Sequence, residues 1–188
     1  MRKRDIGAGS EGILLNKYPA LTVMILVAAS LSAQVIPHTE AQTLSGKKIV
    51  LLEAAAGHSA VFIVGFTHAG GDSSGRWDKQ LRQDFATDSD LRIYSVAVLQ
   101  DAPRMVRGMI RHGMRGNVPK NEQDFFVLLY EDEDVWKKVA DFSNPDDAYI
   151  FLVDSAGTIR WHTHGKAPNQ EAVKAVKNEI SKISGSRP

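Results

Sequence analysis

The chain has 188 residues, 43% hydrophobic and 24% charged, with a formal net charge of +1 and no cysteine. That length suits one globular domain with extras, and the missing sulfur excludes disulfides, thiol catalysis and thiolate metal sites. Residues 1–33 carry Arg2, Lys3, Arg4 and Lys17 against Asp5 and Glu11, a net of +2, which leaves about −1 for the rest. The body is therefore not a basic nucleic-acid binder, and its near-zero balance predicts no strong steering of charged ligands.

Behind the basic start, residues 20–32 (ALTVMILVAASLS) form an apolar run without charge. It is shorter than the ~20 residues of a comfortable membrane span and fits the core of a secretory signal. An uncleaved anchor helix starting near Tyr18 is the alternative. Either way the body is expected to be exported, periplasmic or extracellular, with membrane contact only through this segment if it is uncut. Residues 34–43 are polar, contain Pro37 and read as a linker, so the expected division is a signal or anchor over 1–33, a linker over 34–43 and a folded domain over 44–188.

The domain then alternates strands with helices. Residues 48–52 predict a short strand and 60–66 a continuous apolar one. A helix is expected over 74–85, with Trp77, Leu81 and Phe85 on one face and Asp72, Ser73 or Ser74 as its cap. A strand follows over 91–99, then a helix over 103–114 with Pro103 near its first turn, where the missing N–H costs nothing. Residues 125–129 predict a strand, and 132–140 a helix with acidic residues toward the positive end of its dipole. Strands over 149–154 and 158–163 are joined by Asp154-Ser155-Ala156-Gly157, and residues 169–183 close the chain as a helix. Buried strands alternating with helices imply a sheet covered on both faces. The four-residue link forces an antiparallel pair, which disfavours a flavodoxin-like parallel sheet. The order predicts an α/β, thioredoxin-like three-layer α/β/α sandwich with a central mixed sheet and a C-terminal β-hairpin plus helix.

Residues 44–180 as a whole resemble the thioredoxin-like superfamily near its peroxiredoxin and thiol-disulfide carrier branch, with LSGKKIVLLEAAAGHSAVFIVGF similar to that branch's entry strands. Within it, AYIFLVDSAGTIRWHTHG and the Phe66 to Trp77 stretch are similar to the mitochondrial ATP synthase membrane-sector assembly-factor family and its bacterial relatives. The strand-turn-strand with Asp154 and Gly157 is common to many thioredoxin-like proteins, and the Ile159-Arg160-Trp161 triplet on top of it is the more specific part of that likeness. The chain departs from the redox members twice: Thr67 to Ser73 stands where they carry cysteine, and Asp147-Ala148 where they carry a cis-proline. The resemblance implies a redox-inactive scaffold that binds proteins, as a chaperone or assembly factor for a membrane-enzyme subunit, and no cofactor is expected.

Three candidate sites stand out, each with a plainer alternative. Thr67, His68, Gly70, Gly71, Asp72 and Ser73 could hold an anion at a helix N-terminus, or could be an ordinary capped loop; His68 has no nucleophile beside it in sequence. His162 and His164, two apart on a strand, share a face and could chelate zinc or copper if His68 or Asp72 supplied a further ligand. On that footing the competing reading is a metal-binding protein or a cysteine-independent enzyme; the alternative is a solvated strand end. Arg104, Arg107, Arg111 and Arg115 form one helical stripe beside Met105 and Met109, with Val106, Ile110 and Met114 adding deformable apolar surface. This stripe is the best candidate partner surface; the alternative packs the apolar side into the core with the arginines in water. Gly108, Gly113 and Gly116 weaken that helix.

Overall fold

The computed structural model describes residues 34–185; the expected signal or anchor over 1–33 lies outside them. Twelve elements follow in chain order: β1 (Glu40–Thr43), β2 (Lys48–Val50), α1 (Leu51–Ala54), β3 (Ser59–Gly65), α2 (His68–Asp84), β4 (Leu91–Val98), α3 (Arg104–Asn117), β5 (Phe126–Leu129), α4 (Glu133–Val139), β6 (Ala148–Val153), β7 (Ile159–Gly165) and α5 (Gln170–Gly185). The strands form one seven-stranded sheet in the order β2-β1-β5-β4-β3-β6-β7. The central strands β3, β4 and β5 run parallel, while β6 pairs antiparallel with both β3 and β7. The sandwich is the expected three-layer one.

β3 sits mid-sheet, and every residue of it is buried, which is why its sequence is continuously apolar rather than alternating. Period-two geometry sends its side chains to two cores. On one face Phe62 and Val64 join Tyr94, Phe151, Leu51 of α1 and Trp136 of α4. On the other, Val61 and Ile63 join Ile150, Trp77 and Leu81 of α2, and Val176 and Ile180 of α5. Aromatic rings knit the first core: Phe62 stacks on Tyr94 with centroids 5.2 Å apart, and Trp136 meets Phe151 edge-on.

Residues 34–43 are not a linker. Val35 bridges Thr158, Ile36 is buried and bonds through its N–H to the Gly157 carbonyl, and residues 40–43 are β1, paired to both β2 and β5. Half-exposed strands of four residues carry little apolar signal, so a polar sequence conceals them. The strand expected over 48–52 ends at Val50, and Leu51 starts the short helix α1 with its side chain fully buried. The β6–β7 hairpin is as expected. Asp154 Oδ1 accepts from the N–H groups of Ala156 and Thr158, an Asx turn, and Gly157 takes φ +78° with its open side against Leu52.

Candidate functional site

The segment that replaces a thiol motif is not a loop. α2 begins at His68, six residues earlier than expected, and its cap is Thr67. Thr67 Oγ1 accepts from the Gly70 N–H at 3.0 Å and donates to the Pro145 carbonyl at 2.6 Å. One hydroxyl thus ends the helix and ties it to the segment before β6. Asp72 and Ser73, expected as caps, lie inside the first turns. Ser73 Oγ donates to the Asp146 carbonyl at 2.7 Å and accepts from Arg76, whose Nε donates to the Lys166 carbonyl. Trp77 Nε1 donates to the Gly165 carbonyl at 3.0 Å.

Close approach, not chain flexibility, explains two of the glycines. A Cβ on Gly65 would stand 2.8 Å from the Gly71 nitrogen and 2.9 Å from the Gly70 carbonyl carbon. At Gly70 it would meet the Asp147 and Pro145 carbonyl oxygens at 3.0 and 3.1 Å. The helix start is therefore wedged between the end of β3 and residues 145–147. Side-chain donors and backbone carbonyls hold it there. His68 and Asp72, 3.6 Å apart, project from it into solvent. Among the described residues all peptide bonds are trans, including those at Asp147-Ala148.

His162 and His164 do share a face of β7, over the aromatic residues of β6. The His164 ring stacks on Tyr149 at 5.3 Å and the His162 ring on Phe151 at 6.3 Å. His164 Nδ1 is 2.7 Å from Asp147 Oδ2, a carboxylate that is itself buried. Tyr149 completes the cluster, its hydroxyl accepting from the Ser143 and Asn144 N–H groups and donating to the Asn144 carbonyl. His164 and Tyr149 together anchor residues 143–147, and among the described residues no group of three or more His, Asp or Glu side chains is placed to hold a metal ion. Arg160 stands 3.9 Å from Asp154 across the hairpin, and Trp161 packs on the α2 and α5 side. The residues carrying the family likeness thus shape a turn. Sequence reasoning missed Asp147 and Tyr149, although the acidic residue at the usual cis-proline position was a visible signal.

The arginine stripe of α3 points the opposite way from the expectation. Arg107 donates to the Ala102 and Gln100 carbonyls and lies over the Tyr130 ring at 4.6 Å. Arg111 donates to Gln42 Oε1 of β1, and Arg115 donates to the Leu44 carbonyl at 2.6 Å. Three of the four arginines therefore fasten the helix to the body, leaving Arg104 exposed. The apolar alternative fails as well, since no residue of α3 is buried and Met105 and Met109 are 96% and 76% exposed. Burial raises the Tyr130 pKa, opposed by the charges of Arg111 and Arg107.

Comparison with known proteins agrees with this geometry. No curated protein matches the chain by sequence. Among solved structures, it is similar to BsSco, a member of the Sco family of cytochrome c oxidase assembly proteins. The identity is 15% and the TM-score 0.57, over 81% of this chain and 95% of that one. A peroxiredoxin-like protein from Aquifex aeolicus matches at 15% identity and TM-score 0.52, over 79% of this chain and 86% of its own. The exposed lipoprotein thioredoxin of Streptococcus pneumoniae strain TIGR4 matches at 10% and 0.51, over 76% and 97%. At such identities these likenesses show the thioredoxin-like fold. The family model described as ATP10 protein matches residues 29–182, spanning β1 through α5, and the chain therefore belongs to the ATP10 protein family.

Proposed function

We propose that this protein is an exported, redox-inactive assembly factor that binds a subunit of a membrane complex, the ATP synthase membrane sector in the first instance. The observation that carries it is the ATP10 match over nearly the whole described chain on a fold whose usual reactive position holds no sulfur. The site geometry supports binding rather than covalent chemistry. The hydroxyls of Thr67 and Ser73 are bonded to the Pro145 and Asp146 carbonyls, so neither is presented to a base as a nucleophile. Export rests on the basic and apolar leader of residues 1–33, which either is cut or tethers the domain at the membrane where such a subunit would be met.

Deleting the gene in the source cells and resolving membrane complexes on a native gel tests the reading. The expected result is less assembled ATP synthase with unassembled membrane-sector subunits accumulating or degraded, restored by the intact chain. Normal assembly without the protein would overturn it.

A further inference from the structure

The gap between α2 and α3 is a continuous groove. Its wide end, about 680 Å³, opens where β3 and β4 meet the start of α2, and a narrower extension of about 210 Å³ runs on between α2 and the segment 117–122 that follows α3. Gly71, Ala97, Asn117 and Phe126 line both, which makes them one channel. The floor is the sheet, with Ala97 and Phe126 upward. One wall is the α2 stripe Gly71, Gly75, Asp78 and Arg82, which spans roughly 16 Å at 1.5 Å per residue. The other is Ile110 and Met114 of α3 at the wide end and Val118, Pro119 and Glu122 at the narrow one.

Two features make this a built opening rather than loose packing. A Cβ added at Gly71 or at Gly75 would meet nothing within 4 Å, so the glycines leave space that ordinary helix formers would fill. Each costs the helix ~0.5–1 kcal/mol relative to alanine. The second wall is fastened to the sheet edge at β1 by its arginines, which donate to Gln42 and to the Leu44 carbonyl, and none of its apolar residues is fully buried.

Charge then selects the occupant. Among the described residues the wide end is lined by Asp72, Asp101 and Glu133, with His68 beside Asp72 at 3.6 Å, and by no lysine or arginine. Glu133 is balanced by Lys137 at 2.6 Å, whereas Asp72 and Asp101 are exposed at the mouth. In the narrow end Asp78 is satisfied by Arg82 and by the Ser95 hydroxyl. Carboxylates above apolar walls fit a cation attached to an apolar body.

We infer that this groove binds an apolar polypeptide segment carrying a lysine or arginine, the basic side chain meeting Asp72 and Asp101 while the apolar residues lie between Phe126 and Met114. The inference rests on the assembly reading only for which protein supplies the segment. A membrane-complex subunit with a basic residue in an apolar stretch has the required chemistry, because such a residue has no favourable partner until assembly provides one.

The test uses the full chain in mild detergent and a fluorescein-labelled dodecapeptide of alanine, leucine and glutamine with one central arginine. Matched peptides carry glutamate or glutamine at that position, and binding is read by fluorescence anisotropy. The arginine peptide is expected to bind at least tenfold more tightly than the glutamate one, with the difference shrinking as salt rises. Asp101→Asn should cost the arginine peptide several-fold and leave the glutamine peptide unchanged. Gly75→Leu, which fills the groove where nothing now stands, should abolish binding while leaving the thermal midpoint equal or higher. Tighter binding of the glutamate peptide would assign the mouth to anions at the α2 N-terminus and overturn the inference. So would equal binding by the Gly75→Leu chain, or self-association that this variant removes. If Gly75→Leu still restores ATP synthase assembly in deleted cells, the groove is wrong and the assembly reading survives; if peptide binding holds and the deletion has no effect, the reverse is true.

Discussion

α2 and α3 stand side by side on the same face of the sheet and are held there by opposite means. α2 buries Trp77 and Leu81 in the core and ends in a start wedged against β3 and residues 145–147. α3 buries nothing and hangs on hydrogen bonds from Arg107, Arg111 and Arg115. Area removed from water stabilises at about 25 cal/mol per Å², while an exposed charge-assisted hydrogen bond nets far less. The two helices should therefore differ in how readily they open, and their glycines should differ in what a side chain does there.

The contrast can be broken hardest at Trp77. Trp77→Ala should cost about 3–5 kcal/mol, with the whole domain losing stability in a denaturant titration. A smaller effect is expected at Gly65, where Gly65→Val forces the β3–α2 contact apart and should cost on the order of 1–3 kcal/mol; the thermal midpoint reads it. Replacing Arg111 and Arg115 together by alanine should leave the global midpoint nearly unchanged. It should raise hydrogen exchange within α3 by roughly tenfold, the equivalent of ~1.4 kcal/mol of local opening. Global unfolding from that pair would mean that α3 is part of the cooperative core after all. At Gly108 a Cβ meets nothing within 4 Å, so Gly108→Ala should stabilise α3 by roughly 0.5–1 kcal/mol, the reverse of Gly65.

The weakest expected effect lies on α4, away from this contrast. The Glu133 hydrogen bond raises the Lys137 pKa above its ordinary 10.5. A raised folded value means that Lys137 contributes stability fully present below that ordinary value and lost as pH rises through the folded one. Lys137→Met should lower the neutral plateau slightly and flatten the alkaline limb, since the contribution it removes is the one that neutral pH retains and alkaline pH loses.

How much of this was legible in the sequence depends on what carries each feature. The central strands and the two cores were legible, because β3, β4 and β6 are continuous apolar runs and the Trp77–Leu81 spacing is helical. The hairpin was legible from the Asp154 to Gly157 link. β1 was not, since a four-residue strand sharing its faces with solvent has no apolar alternation. The start of α2 was misplaced because Gly70 and Gly71 read as loop residues. Their absence of side chains in fact serves close packing at Gly70 and open space at Gly71. The arginine stripe was visible as a stripe, but periodicity gives spacing and not direction. Only the carbonyls of Ala102 and Leu44 and the Gln42 amide oxygen decide that it faces inward. The His162 and His164 pair was correctly placed on one face, while Asp147, seventeen residues from His164, had no local signature tying it to them.

The proposed role is to hold a membrane-complex subunit without covalent chemistry. The most direct test is crosslinking in the source cells, capture of the full chain and mass spectrometry of what comes with it. The predicted result is a membrane-sector subunit of the ATP synthase, retained in Thr67→Ser chains and reduced by Gly75→Leu. Recovery of soluble thiol proteins alone, or of no specific protein, would contradict it.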